Sequence, residues 1–184
     1  DDTLVDTSQS FDVAVAFLVR KFSDVPLGTK ELKLLRAEGG YNDDWTAAQE
    51  LLRRRGVDMA YDALAQEGRR VYMNMAQEAE TPLFRKGLLS ELRRRYPRLF
   101  IVTGRNREEY ASVWGDRLDG EFEAVYCCDD VPGTRPKPAP DVLCYLKERH
   151  TIKTGWYVGN NVDDMQSAVA AGFYAIGVSQ TQPP

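Results

Sequence analysis

The order in which helix and strand signals follow one another constrains this chain most. From about residue 81 they alternate. LLSELRRRY reads as a helix and LFIVTG as a short buried strand ending in glycine, then NREEYASVWGDRL as a helix and FEAVYCC as a strand. After a proline-rich loop at 132–140, DVLCYLKERH reads as a helix, WYVGN as a strand, DDMQSAVAAG as a helix and FYAIGV as a strand. The strands are apolar throughout rather than alternating, the mark of a parallel sheet covered on both faces.

The preceding residues carry no such alternation. Phe11, Val15, Leu18, Val19 and Phe22 recur at helical spacing over about 9–22, with Ser8 or Ser10 available as a cap. Thr29 is placed to cap a second helix carrying Leu32, Leu34 and Leu35, stopped by Gly39 and Gly40. Asp43 or Asp44 can cap a third helix with Ala48, Leu51 and Leu52 inward, and a fourth runs from about Ala60 to Gln77. The expectation is an α/β protein: a doubly wound, Rossmann-like parallel sheet core with an inserted all-helical module. Residues 1–8 would begin the core, 9–80 form the helical cap and 81–184 the α/β core.

Composition excludes several classes. With 184 residues, 43% hydrophobic and 28% charged, the chain is not disordered. A net charge of −4 gives no global field for nucleic acid or an anionic membrane. No apolar run approaches the roughly 20 residues of a membrane helix, and the polar stretch DDTLVDTSQS is not a secretory signal. Three cysteines, Cys127, Cys128 and Cys144, do not suggest a disulfide framework or a zinc site, so a reducing, cytoplasmic setting is expected. His150, the one histidine, falls at a helix end, which leaves little room for a Ser-His-Asp triad. Either a monomer or a homodimer is compatible with these features.

Ligands of open parallel sheets bind beyond the carboxyl ends of the strands, and three such ends carry unusual residues. Thr103 and Gly104 end LFIVTG, where a hydroxyl and free N–H groups can form a small anion site, or Thr103 can simply cap a helix. Lys137 lies between prolines 136, 138 and 140, which stiffen the loop and can fix an ammonium over a phosphoryl oxygen; the plainer reading is a surface loop. Asp163 and Asp164 follow Gly159, Asn160 and Asn161 at a helix start, suited to the dipole or to a hard cation such as Mg²⁺. Arg105 and Arg107 read as solvated helix-face residues or contacts for an anionic substrate, and the RRR runs at 53–55 and 93–95 as solvated faces.

Taken together, Thr103, the KPxP loop at Lys137 and the Gly159-x-x-x-x-Asp164 segment resemble the haloacid dehalogenase superfamily, in its subfamily with a helical C1-type cap. DDTLVDTSQSF is similar to the tail of that family's first motif, hhhhDxDGTLVDT, with Asp1 on the acid/base aspartate and Asp2 in place of the usual glycine. The resemblance covers essentially the whole chain. It implies a nucleophilic aspartate two positions before Asp1, so the sequence is read as lacking a strand at its front. It also implies an Mg²⁺-dependent phosphomonoester hydrolase acting on a small phosphorylated metabolite through an aspartyl-phosphate. Asp1 and Lys137 would be catalytic. Thr103, Gly104 and Lys137 would bind phosphate, and Asp1 (through its carbonyl), Asn160 and Asp164 would hold the metal. Tyr41, Asn42 and Asp43, beside Trp45 in the cap loop, would set specificity. Asn160 departs from the family's Gly-Asp and removes a negative charge from the expected metal site. A non-catalytic phosphometabolite-binding module, or a metal-free 2-haloacid dehalogenase, are the alternatives this leaves open.

Overall fold

A computed structural model describes residues 1–96 and 98–179; residues 180–184, the end of the expected core, lie outside the described residues. The chain opens with strand β1 (Val5–Asp6), which pairs antiparallel with β2 (Thr81–Pro82) in the register Val5 to Pro82 and Asp6 to Thr81. Five helices lie between these two strands. The chain therefore enters and leaves the helical module through adjacent segments, a two-strand neck.

Helix α1 (Phe11–Ser23) buries Phe11, Ala14, Val15, Leu18 and Val19 and ends at Asp24 in a left-handed conformation, φ 57°. Helix α2 (Glu31–Glu38) buries Leu32 and Leu35. Leu34, the third leucine of this helix, is 64% exposed, because the i, i+3 pair defines the apolar face and Leu34 falls on the other side. Thr29 is not the cap of this helix. The Glu31 carboxylate turns back to accept from the Gly28 N–H at 2.6 Å. Helix α3 (Asp44–Arg53) starts at Asp43, whose Oδ1 accepts from the Thr46 N–H at 2.7 Å. The stretch expected as a single helix to Gln77 divides into α4 (Tyr61–Met73) and α5 (Ala76–Ala79). Leu18, Leu51, Leu52 and Leu64 meet in the centre of this module. Each buried leucine contributes about 2 kcal/mol of transfer free energy.

Helix α6 (Leu88–Arg95) leads to β3 (Phe100–Val102), which pairs parallel with β4 (Ala124–Tyr126). Between them, α7 (Arg107–Tyr110) runs through a wide turn at Ala111–Gly115 into the short α8 (Asp116–Leu118). Helix α9 (Asp141–Arg149), β5 (Trp156–Gly159), α10 (Val162–Ala170) and β6 (Tyr174–Gly177) complete the alternation, with β5 and β6 parallel. The α/β class and the parallel pairing are as expected. The sheet is less closed than expected: among the described residues no ladder joins β3–β4 to β5–β6. Leu143, Ala168, Tyr157 and Ala175 pack on the covered side of β5–β6. Its other side leaves Trp156, Val158, Tyr174 and Ile176 exposed, because no described element lies over it. No helix among the described residues is long and apolar enough to cross a membrane.

Candidate active site

The three strand ends and the neck converge with the loop before α3. Thr103 follows β3 and donates its N–H to Tyr126 O at 2.9 Å, continuing the ladder, while its Oγ1 accepts from the Arg105 N–H at 3.2 Å. It does not cap the next helix. Asn106 does, through a reciprocal pair with Glu109. A side chain on Gly104 would stand 3.2 Å from Asn42 Nδ2, so the cap loop lies directly on this turn.

Lys137 is not on the surface. Its ammonium reaches Asp164 Oδ1 at 2.6 Å and Tyr157 OH at 3.0 Å, and its side chain is 13% exposed. Tyr157 OH also donates to Asp164 Oδ1 at 3.2 Å. Burial alone would raise the Asp164 carboxyl and lower the lysine. The Asp164–Lys137 attraction wins, holding Asp164 below the usual carboxylate range and Lys137 above the usual lysine range. Asp164 Oδ2 accepts from the N–H groups of Asn160 and Asn161 at 3.1 and 3.2 Å, closing a capping box with Asn161 at the start of α10. Asp163 is buried as well and points to the cap, accepting from the Gly40 N–H at 2.8 and 3.0 Å. Gly40 has φ +82°, a conformation that a residue with a Cβ rarely adopts, and this aims its N–H at the carboxylate.

Of the cap residues, Asn42 makes the direct link: its Oδ1 accepts from Asn161 Nδ2 at 2.8 Å. Asp43 is engaged as the α3 cap, and Tyr41 packs at the edge of the main apolar cluster. Thr3, from the front of the chain, donates to Asn160 Oδ1 at 3.4 Å. The remaining space between cap loop and core is a cavity of about 20 Å³, room for one water, lined in part by Asp1, Asn42, Asp43, Trp45 and Gly104.

Asp1 is held by Arg105, which is 3% exposed rather than solvated. Arg107 keeps a half-exposed position and pairs with Asp130. Arg53 and Arg54 sit on a solvated face paired with Glu50 and Glu38, whereas Arg55 tucks its side chain against Glu31 and Leu51 O. His150 stands apart, its ring tilted against Phe100 and bonded to Tyr126 OH at 2.7 Å. The three cysteines are free.

Tyr157 and Glu80 are functional candidates that the sequence pattern did not mark, and Arg105, offered there as a solvated residue or a substrate contact, is instead a buried partner of Asp1. Tyr157 reads as core in an apolar strand, and Glu80 as the polar end of a helix. Only the fold brings Glu80 to Ser10, Trp114 and Arg105.

A family model described as a haloacid dehalogenase-like hydrolase matches residues 1–172. Similar solved structures include a predicted phosphoglycolate phosphatase from Haemophilus somnus, 17% identical with a TM-score of 0.74 over 96% of this chain and 81% of that one. Another is a HAD hydrolase of family IA, variant 3, from Entamoeba histolytica, 17% identical with a TM-score of 0.74 over 97% of this chain and 81% of that one. An imidazoleglycerol-phosphate dehydratase of Phytophthora nicotianae is 28% identical over 99% of this chain, which spans 42% of that protein's length.

Proposed function

The chain belongs to the haloacid dehalogenase-like hydrolases, and from that premise we propose that it hydrolyses the phosphomonoester of a small metabolite. The observation that carries this reading is the buried Lys137–Asp164 pair at the start of α10, where Asn161 bonds to Asn42 and Asn42 in turn lies on Gly104. A lysine held charged away from water, next to a hydroxyl and N–H groups at strand ends, suits phosphoryl oxygens and the charge that grows on them. In this reading an aspartate expected two positions before Asp1 attacks phosphorus in line and the ester bond breaks. Asp1 gives its proton to the leaving oxygen and then takes one from the water that hydrolyses the aspartyl-phosphate.

Magnesium fits the described donors poorly. Both Asp164 oxygens are engaged, by Lys137, Tyr157 and two N–H groups, and Asp163 is turned to Gly40. Asn160 and the Asp1 carbonyl offer neutral oxygens only, and no cluster of three acidic, histidine or cysteine side chains among the described residues could hold a metal. A hard cation here would depend on the upstream aspartate.

The leaving group is best read as neutral. Asp43, Asp44 and Glu109 line the cavity together with Arg105, whose guanidinium is already taken by Asp1 and Glu80, and the neighbouring arginines are engaged too: Arg36 with Asp12 and Asp44, and Arg69 with Glu109. A carboxylate there would be buried beside like charge. The test is a phosphoester panel on the full-length protein, with Lys137→Ala alongside. Hydrolysis of neutral alkyl phosphates above phosphoglycolate, reduced by orders of magnitude in Lys137→Ala, is expected. No turnover of any ester would defeat the reading.

A further inference from the structure

Arg105 is the most deeply buried cation beside this site, and its contacts connect parts of the molecule that are remote in sequence. Nε reaches Asp1 Oδ1 at 2.6 Å and Nη2 reaches the same oxygen at 2.5 Å. Nη1 donates to Tyr72 OH, on α4 of the cap, at 2.5 Å. Nη2 also stands 2.9 Å from Glu80 Oε2; both of its carboxylate contacts are ion pairs off the hydrogen-bond direction, so the one hydrogen bond to Asp1 is from Nε. The guanidinium lies over the Phe11 and Tyr72 rings, 5.1 and 5.7 Å from their centroids, and those rings stack on each other at 4.0 Å. Glu80 is fixed in turn by Ser10 Oγ at 2.7 Å and Trp114 Nε1 at 2.5 Å. Ser10 and Glu80 flank the two strands of the neck.

We infer that Arg105 is a positioning residue: it clamps one oxygen of Asp1 and fixes that carboxyl relative to both chains of the neck and to α4. This rests on the phosphatase reading above. Both contacts fall on Oδ1, so Oδ2 is the oxygen left to exchange the proton with the leaving group. A guanidinium on Oδ1 also stabilises the anion that forms as the proton departs. Because Tyr72 is on the cap and Glu80 is at its exit, a shift of the cap moves the groups that hold Arg105, and with it the acid.

The prediction separates orientation from mere stability. An ester whose leaving group needs no proton, p-nitrophenyl phosphate, is compared with an alkyl phosphate such as glycerol phosphate, on full-length wild type, Arg105→Lys, Tyr72→Phe and the doubly neutralised Arg105→Met/Glu80→Gln. A positioned acid contributes about 10²–10⁴-fold, and a 1 Å misplacement costs about 10²-fold. The Arg105 variants should therefore lose roughly 10–100-fold more kcat/KM on the alkyl ester than on the nitrophenyl ester. Tyr72→Phe removes one hydroxyl from a packed ring and keeps the fold; it should show the same selective loss at about two- to fivefold. Losses equal for the two esters, in Tyr72→Phe or in whichever Arg105 variants fold, overturn the role. A wild type that hydrolyses neither ester defeats the phosphatase reading itself, a separate outcome.

Discussion

Gly159 ends β5 directly beneath the Asp164 side chain. An alanine Cβ there would stand 2.6 Å from Asp164 Cβ and Oδ2 and 2.7 Å from Cγ. Carbon contacts settle near 3.5–4.0 Å, so Asp164 must move by about 1 Å. Its 2.6 Å bond to Lys137 then stretches past hydrogen-bond range, and the N–H bonds from Asn160 and Asn161, at 3.1 and 3.2 Å, go with it. Removing one partner of a buried ion pair costs about 3–5 kcal/mol, and loosening this one about 2–4. The gain from replacing glycine in a strand, about 0.5–1 kcal/mol, does not offset that. Gly177, on the neighbouring strand, is the control: its added Cβ would meet only Met165 Sδ at 3.7 Å, an ordinary contact. Urea denaturation followed by circular dichroism should show Gly159→Ala destabilised by about 2–4 kcal/mol and Gly177→Ala within about 0.5 kcal/mol of wild type. Turnover should fall with the first variant only. If Gly159→Ala matches Gly177→Ala in both stability and turnover, the packing of Asp164 against β5 is not what holds Lys137.

Three further predictions follow from the same geometry. Asn160→Asp adds a carboxylate beside Thr3 to a donor set that fits magnesium poorly, and should tighten magnesium binding by the protein several-fold in a calorimetric titration; unchanged binding places Asn160 away from any metal. Gly68→Ala puts a methyl 2.2 and 2.4 Å from Trp45 ring carbons. The overpacking, about 1–3 kcal/mol, should outweigh the helix-propensity gain of about 1 kcal/mol, and the urea midpoint should fall. Burial pushes the Cys127 thiol up to about 12, so it stays protonated at all ordinary pH. Iodoacetamide at pH 8 should leave native Cys127 unmodified while denatured protein reacts; rapid native labelling would show that β4 opens.

Much of the fold was legible because it is written locally. The apolar runs of β3 to β6 and the intervening helices follow from spacing alone, and Thr103, Lys137 and Asp164 are marked by their places at strand ends. Arg105 was not legible. In TGRNREEY it reads as a helix-face charge or a contact for an anionic substrate, and its burial depends on Asp1, Tyr72 and Glu80, which the fold delivers from three separate segments. Tyr157 was hidden for the opposite reason, since its hydroxyl sits in a strand whose other residues are apolar. Which leucines of α2 turn inward was not legible from their count, because three leucines in four positions cannot share one helical face. One face of β5–β6 carries no cover among the described residues, since strand composition reports how much burial a strand can use, not which segment supplies it.

The most direct measurement is an acid-quenched single turnover of the full-length protein with a phosphorus-labelled alkyl phosphate, followed by peptide mapping. The site described above predicts label trapped on the aspartate two positions before Asp1, and loss of that label in Lys137→Ala. Turnover without any protein-bound phosphorus, or label on a peptide remote from Asp1, would contradict it.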